Sequence, residues 1–349
     1  MTLSRIQPEE FKPGEGCARI LHPFQSVFWA EAKALNGWKP YYFRVEDGDC
    51  VTYLMVLTRH FLDGALVFAY VPMGPELEFI SKEGRIAELG RELNRELPSV
   101  FVIRFDFPFD FLNATGLNDL NPARAEDAFR DFAAREHLQL LDESIQPQGT
   151  VVSYPADPFA YRTRAQRILK KNSSVVEVGF WNGSSSDFSR WYSIYQDTAR
   201  RDRFTARSKS YISGLLQQNQ SGASCRLILA RVAGKIEGGI VVMMNDDMEI
   251  YMYGGANRSG DFNVSYPLQD FAIRDAAAAG RKVYDFYGCE GTAGRGEHLA
   301  SLTQFKLSFG GRRIYRIPSC DYVLKRPVWR LYRLIEDYRL RRSRHLKTE

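Results

Sequence analysis

Short apolar blocks at Tyr41 to Val45, Cys50 to Thr58 and Ala65 to Tyr70, rich in aromatic and β-branched residues, predict three strands in the first part of the chain. Glu46-Asp47-Gly48-Asp49 lies between the first two and has the composition of a hairpin turn. A helix is expected ahead of them, over Phe24 to Leu35. Ile86, Leu89, Leu93 and Leu97 recur at three- and four-residue spacing, which predicts a helix from about Ser81, and the strand Val100 to Asp106 follows. A further amphipathic helix begins near Pro122 and carries Phe129, Phe132 and Ala133 inward.

The second half repeats that order. Helices over Phe188 to Ala199 and Lys209 to Gln218 precede a hairpin, Arg226 to Val232 and Ile236 to Met244, turned at Ala233-Gly234-Lys235. The strand Glu249 to Tyr253 comes next, then a helix from Pro267 with Leu268, Phe271, Ala272 and Ala276 inward and Gly280 at its end, then the strand Val283 to Tyr287. Helix, hairpin, strand, glycine-containing loop, helix and strand therefore occur twice, which implies two copies of one α/β unit. Breakers in Gln146-Pro147-Gln148-Gly149 and Tyr154-Pro155-Ala156-Asp157-Pro158 place the boundary near Thr150 to Pro158.

Composition fits this picture: 349 residues, 44% hydrophobic and 13% aromatic, are enough for two cores. No apolar run approaches the roughly 20 residues of a membrane helix, and Glu9, Glu10 and Glu15 stand where a signal peptide would be apolar, so a cytoplasmic protein is expected. The five cysteines are widely spaced without a CxxC pair, as reduced and mostly buried thiols would be. The charge is segregated. Arg162 to Lys171, Arg200 to Lys209 and Lys325 to Glu349 carry +15 between them, leaving −10 elsewhere for a net +5. Such local excess suits polyanionic partners, although each stretch taken singly could be a solvated helix face.

The candidate chemistry gathers late in the chain. Phe305-Lys306-Leu307-Ser308-Phe309-Gly310-Gly311 follows Tyr253-Gly254-Gly255-Ala256-Asn257 and Tyr284-Asp285-Phe286-Tyr287-Gly288, with Arg207 and Tyr211 upstream. This pattern resembles the FemABX family of peptidoglycan interpeptide bridge-forming aminoacyltransferases. It is strongest from about Ala199 to Tyr322, and the lack of a heptad-bearing insertion between Tyr253 and Phe305 is similar to the FemX-like branch without a coiled-coil arm. The resemblance implies an α/β (α+β) fold of two tandem GNAT-like domains (N-acetyltransferase superfamily). These are placed at residues 1–152, completed by a C-terminal helix over 320–349, and at 153–319.

It also implies an activity: transfer of an amino acid from aminoacyl-tRNA to the amine of the third stem-peptide residue of a peptidoglycan precursor. The acceptor is UDP-MurNAc-pentapeptide or lipid II, and no metal, redox group or acetyl-CoA is required. Lys306 is the candidate for electrostatic stabilisation of the reacting ester, against the alternative of a surface lysine. Arg207 and Tyr211, spaced i and i+4, are expected to share a helix face and clamp a diphosphate, with Lys33 after Gln25-Ser26-x-x-Trp29 as a further phosphate contact. Asp106 is a candidate proton acceptor unless Arg104 claims it as half of an ion pair. Tyr251 and Tyr253, alternating with Met252, are expected on one strand face, lining the acceptor channel or lying in the core. In Tyr70-Val71-Pro72-Met73-Gly74-Pro75, Met73 stands where the family commonly has a basic residue, which favours a structural turn.

Arg162, Arg164, Arg167, Lys170 and Lys171 are candidate contacts for the tRNA acceptor stem. The tail from Trp329 to Tyr338, with interleaved arginines, could lie on the inner face of the membrane or form core. A monomer is expected. The rival readings are an acyl-CoA-dependent N-acyltransferase of the same fold acting in polysaccharide synthesis, and a non-catalytic protein that binds RNA or membrane. Gly254-Gly255-Ala256-Asn257-Arg258-Ser259-Gly260 lacks the spacing of an acyl-CoA pyrophosphate loop. His298 stands apart from any triad or metal-site pattern.

Overall fold

The computed structural model describes residues 1–16, 19–77, 83–116, 122–218, 220–257 and 262–348. Its strands are β1 (Thr2–Ile6), β2 (Lys39–Asp47), β3 (Cys50–Phe61), β4 (Leu66–Val71), β5 (Val100–Phe105), β6 (Leu138–Leu140), β7 (Gly149–Ser153), β8 (Val176–Phe180), β9 (Ser224–Val232), β10 (Lys235–Met244), β11 (Met248–Ala256), β12 (Val283–Asp285), β13 (Arg312–Tyr315) and β14 (Cys320–Val323). The helices are α1 (Val27–Ala34), α2 (Arg85–Glu96), α3 (Phe111–Ala114), α4 (Pro122–Arg135), α5 (Thr163–Asn172), α6 (Ser185–Asp202), α7 (Lys209–Gln217), α8 (Ser265–Ala278), α9 (Ala300–Leu307) and α10 (Arg326–Thr348).

The strands form two seven-stranded mixed sheets, in the orders β1-β2-β3-β4-β5-β14-β6 and β13-β7-β12-β11-β10-β9-β8. Each sheet has one parallel pair, β4 with β5 and β11 with β12. The expected repetition of one α/β unit is thus seen in the two sheets, whose strand orders and parallel pairs correspond.

Alternation along the strands sets the layers. Tyr53, Met55 and Leu57 of β3, Phe68 and Tyr70 of β4, Leu227 and Leu229 of β9, and Val241 and Met243 of β10 enter one core shared by both sheets. Leu54 and Val56 point the other way, onto Ile86, Leu89 and Leu93 of α2 and Phe129 of α4. Ile228, Ile240 and Val242 likewise face Leu268, Ala272 and Ala276 of α8. Phe271, expected inward, is only half-buried, where its ring meets Phe180 at 5.2 Å.

Differences from the sequence reading have local causes. The stretch from residue 320 opens as strand β14, paired to both β5 and β6, and becomes helical only at Arg326. Residues 149–152 belong to β7, which pairs with β12 and β13 in the second sheet. The strand expected over Val283 to Tyr287 is β12, whereas β1, β6, β7, β8, β13 and β14, of three to five residues, are too short to show periodicity. Ser81, the expected start of α2, lies outside the described residues, as do Cys17 and the Arg258-Ser259-Gly260 part of the glycine-containing loop. Cys225, Cys289 and Cys320 are buried. Among the described residues no helix is long and apolar enough to cross a membrane.

Arg104 fastens α10 to the first sheet. Its guanidinium meets Asp321 at 2.7 and 3.0 Å and Glu336 at 2.7 and 3.0 Å, two bidentate pairs in the interior. Tyr332 stacks on Phe68 beside them, with ring centroids 5.4 Å apart. Removing the guanidinium leaves Asp321 buried without its counter-charge. Arg104→Leu is therefore expected to lower unfolding free energy by about 3–5 kcal/mol in urea titrations, and a loss below about 1 kcal/mol would mean that α10 is held by its apolar contacts alone.

Candidate active site

Two of the sequence motifs act through their packing. In Gln25-Ser26-x-x-Trp29, the Gln25 amide donates to Pro72 O at 2.7 Å and Met55 O at 3.2 Å and accepts from Met55 N at 2.8 Å. Ser26 caps α1 by accepting from Trp29 N at 3.1 Å. Trp29 stacks on Phe24 at 4.2 Å and lies under the Lys33 ammonium, also at 4.2 Å. Tyr70 to Pro75 is the turn that receives Gln25, with buried Met73 at φ 48°.

The Phe-Lys-x-x-Phe-Gly-Gly stretch ends helix α9. Phe309 is buried against Tyr266, Phe286 and Phe305. Gly310 has φ 77°, and a Cβ there would stand 2.5 Å from Ala160 O, so only glycine lets the chain turn into β13. Lys306 is thereby held on the last turn of a short helix. Its side chain is buried, and its ammonium donates to the Tyr287 and Gly288 carbonyl oxygens. Desolvation pulls its pKa down to about 8, with Cys289 and Asp285 acting in the opposite direction.

Tyr287 is the centre of the arrangement. Its backbone is left-handed at φ 52°, held by a 2.7 Å bond from its N–H to Asp285, which also accepts from Thr150 at 2.5 Å and from Arg316 at 2.9 Å. Such a backbone costs energy and persists only where the surroundings enforce it. The Tyr287 hydroxyl donates to Gln146, and Gln146 donates to the Tyr70 hydroxyl at 2.9 Å. Tyr70 donates to Asp106 at 2.5 Å, and the other oxygen of Asp106 accepts from Ser319. A buried polar chain therefore runs from Asp106 and Tyr70, at the ends of β5 and β4 in the first sheet, to Tyr287 and Lys306 in the second.

Asp106 does not pair with Arg104, which is occupied by Asp321 and Glu336. Burial raises its pKa to about 6, against the lowering effect of Ser319, Tyr70 and the two arginines Arg104 and Arg316. With both oxygens bonded inside the protein, Asp106 orients Tyr70.

The expected binding residues also stand near Tyr287. Arg207 is not helical: Ser208 caps α7 by accepting from Tyr211 N at 3.2 Å, so Arg207 precedes the helix and Tyr211 lies in its first turn. The two remain close, with the guanidinium 5.9 Å from the Tyr211 ring centroid. Tyr253 meets Tyr211 edge-on at 6.5 Å. Lys33 is depressed to about 8 by desolvation and by the charges of Arg207 and Arg59, which puts these cations in one neighbourhood. Arg207 also acts electrostatically on Tyr287, and Phe24 meets Tyr287 at 6.2 Å. Lys33, Arg207, Tyr211 and Tyr253 thus stand in one neighbourhood with Tyr287.

Tyr251 is not with them. Val241 pairs with Tyr253 but Val242 with Tyr251, so a bulge at Met252 breaks the alternation. Tyr253 joins the shared core, while Tyr251 packs on the outer face of the second sheet. Sequence alternation could not reveal a bulge.

The basic segments differ. Arg200 and Arg201 are engaged by Asp197 and Asp202. Arg164, Arg167, Lys170 and Lys171 are exposed on α5, with Arg162 exposed at its N-cap. Arg162, Arg164, Arg167 and Lys170 form no ion pair among the described residues, and Lys171 lies 5.9 Å from the Phe262 ring. The Arg162 N–H donates to Ser308 O at 2.8 Å, joining this basic ridge to the end of the Lys306 helix. Tyr70, Gln146, Arg316 and Ser319 were not singled out for chemistry in the sequence. Gln146 showed only as part of a breaker, and Arg316 and Ser319 had no motif around them.

Comparison with known proteins bears on the family and the fold. Residues 233–337 match the model of the FemAB family. The crystal structure of FemX superposes with a TM-score of 0.74 at 15% identity, covering 95% of this chain and 99% of that one. A conserved protein of unknown function from Bacteroides thetaiotaomicron gives 0.55 at 10% identity, covering 93% and 99%. No curated sequence is significantly similar to the chain. The resemblance to the FemABX family drawn from the sequence is thereby borne out.

The raised pKa of Asp106 has a stability consequence. Between the unfolded value near 4 and about 6, the folded state keeps a proton that the unfolded state has released, so this group makes stability fall as pH rises through that window. The full effect is on the order of 2–3 kcal/mol. Asp106→Asn is expected to flatten the pH 4–6 portion of the stability profile measured by urea unfolding, and an unchanged slope would show that Asp106 titrates normally.

Proposed function

We propose that the chain is a peptidoglycan bridge-forming aminoacyltransferase, moving an amino acid from aminoacyl-tRNA to the amine of the third stem-peptide residue of UDP-MurNAc-pentapeptide or lipid II. The observation that carries this reading is the desolvated Lys306 ammonium, fixed beside Tyr287 within the segment that matches the FemAB family. FemX shares the fold over nearly the full length of both chains, which supports the reading.

The chemistry follows from the groups present. The acceptor amine attacks the ester carbonyl carbon, a C–N bond forms, and negative charge collects on the carbonyl oxygen. Lys306, in low-dielectric surroundings and protonated below pH 8, stabilises that charge. The C–O bond to the tRNA ribose then breaks, and the proton lost by the amine passes to the departing 3′ oxygen, with substrate or water as carrier. Asp106 serves through Tyr70, which with Gln146 fixes the Tyr287 hydroxyl. Arg207, Tyr211 and Lys33 hold the acceptor's diphosphate, and Tyr253 lies along its path. The exposed cations of α5 take the acceptor-stem phosphates. The protein works in the cytoplasm as a monomer.

The test offers the purified chain a mixture of radiolabelled aminoacyl-tRNAs with UDP-linked or lipid-linked muropeptide. Label is expected in the muropeptide, from one tRNA. Lys306→Met should lower kcat by roughly 100- to 1000-fold, the scale of losing one oxyanion-stabilising group. Arg207→Ala should act chiefly on KM for the acceptor, by roughly tenfold. Acetyl-CoA turnover without transfer from tRNA, or full activity in Lys306→Met, would contradict the reading.

A further inference from the structure

Helix α10 has a second apolar face. Val328, Trp329 and Tyr332 pack toward the first sheet, and Glu336 reaches Arg104 from the same side. On the opposite side Leu331, Leu334, Ile335 and Tyr338 are 60%, 68%, 43% and 64% exposed. Their i, i+3, i+4 and i+7 spacing makes one stripe. At the β3–β4 connection the ring of half-exposed Phe61 lies 6.4 Å from Tyr332, on the packed side of the helix. The four exposed side chains of the stripe present one continuous apolar surface, a feature that marks a docking site rather than scattered surface residues.

The rim of this surface is cationic. Arg326, Arg330, Arg339 and Arg342 are exposed and form no ion pair among the described residues, whereas Arg333 is neutralised by Glu336 and by Asp337 at 3.0 Å. Beside the start of α10 a cavity of about 360 Å³ opens toward β6, with Arg326, Arg330 and His137 among its walls and Trp329 and Tyr322 beside them.

We propose that α10 seats the protein on an anionic lipid bilayer. Leu331, Leu334, Ile335 and Tyr338 enter the interfacial layer, and the rim arginines meet headgroup phosphates, one of them in the cavity. Charge complementarity selects this occupant over a second copy of the chain, because a two-fold pairing of the stripe would bring each arginine rim against its equivalent. The inference does not rest on the transfer reading, since lipid binding requires no turnover. If both hold, the active site works beside a lipid surface.

Co-sedimentation of the full chain with vesicles of phosphatidylcholine, alone or mixed with phosphatidylglycerol, tests it. Binding is expected only to the mixed vesicles and should weaken as salt is raised. Replacing exposed side chains leaves the fold intact, which circular dichroism checks. The double variant Leu331→Ser with Leu334→Ser should lose on the order of tenfold in affinity. Arg330→Gln and Arg339→Gln should each lose roughly fivefold. Equal binding to both vesicle types, or variants that bind as tightly as the parent chain, would overturn the proposal. So would a concentration-dependent dimer in light scattering that the leucine substitutions abolish.

Discussion

Two sheets that share a core could slide against each other if only apolar contacts joined them, because burial of apolar area has no preferred direction. The polar chain from Asp106 through Tyr70, Gln146 and Tyr287 removes that freedom. Each hydroxyl and amide in it is buried or nearly so, and each would be costly to leave unpaired, so the sheets must meet where all the bonds close together. The strained backbone of Tyr287 belongs to the same arrangement, since Asp285 and Arg316 hold it where its hydroxyl reaches Gln146 and its carbonyl reaches Lys306.

The site's electrostatics follow from this junction. Lys306 and Lys33 approach it from different elements, one on α9 in the second half and one on α1 in the first, and desolvation lowers both to about 8. Cations in such surroundings favour an anionic ligand more strongly than exposed ones do, because less water competes for them. Helix α1 reaches its position by bonds to the second half: Gln218 donates to Phe28 O at 2.6 Å, and Phe28 N donates to Ser221 O at 3.1 Å. The candidate residues thus come from both halves, Lys33 from the first and Arg207, Tyr211 and Lys306 from the second, and neither sheet alone brings them together.

The sequence showed the long elements well, because β3, β10 and the apolar face of α2 carry clear periods. It also showed that the order of elements repeats. Apart from β12 the short strands were hidden, and β14 was hidden twice over, since it lies far along the chain from the strands it joins. In the site, Lys306, Arg207, Tyr211 and Lys33 stood out through motifs, whereas Gln146 acts through Tyr70 and Tyr287, 76 and 141 positions away, and Ser319 bonds Asp106, 213 positions away. No local pattern marks a side chain whose role is set by such distant contacts. The Met252 bulge shows the converse limit, for strict alternation placed Tyr251 beside Tyr253 and one extra residue in the ladder separates them.

The dependence of the two halves on this chain can be measured by a double-mutant cycle between Tyr70→Phe and Tyr287→Phe, followed by equilibrium unfolding in urea. Both hydroxyls bond to Gln146, one from each sheet. A coupling of about 1 kcal/mol or more between the two substitutions is expected. Additive effects, within about 0.5 kcal/mol, would contradict the view that one continuous polar chain sets how the sheets meet and where Lys306 stands.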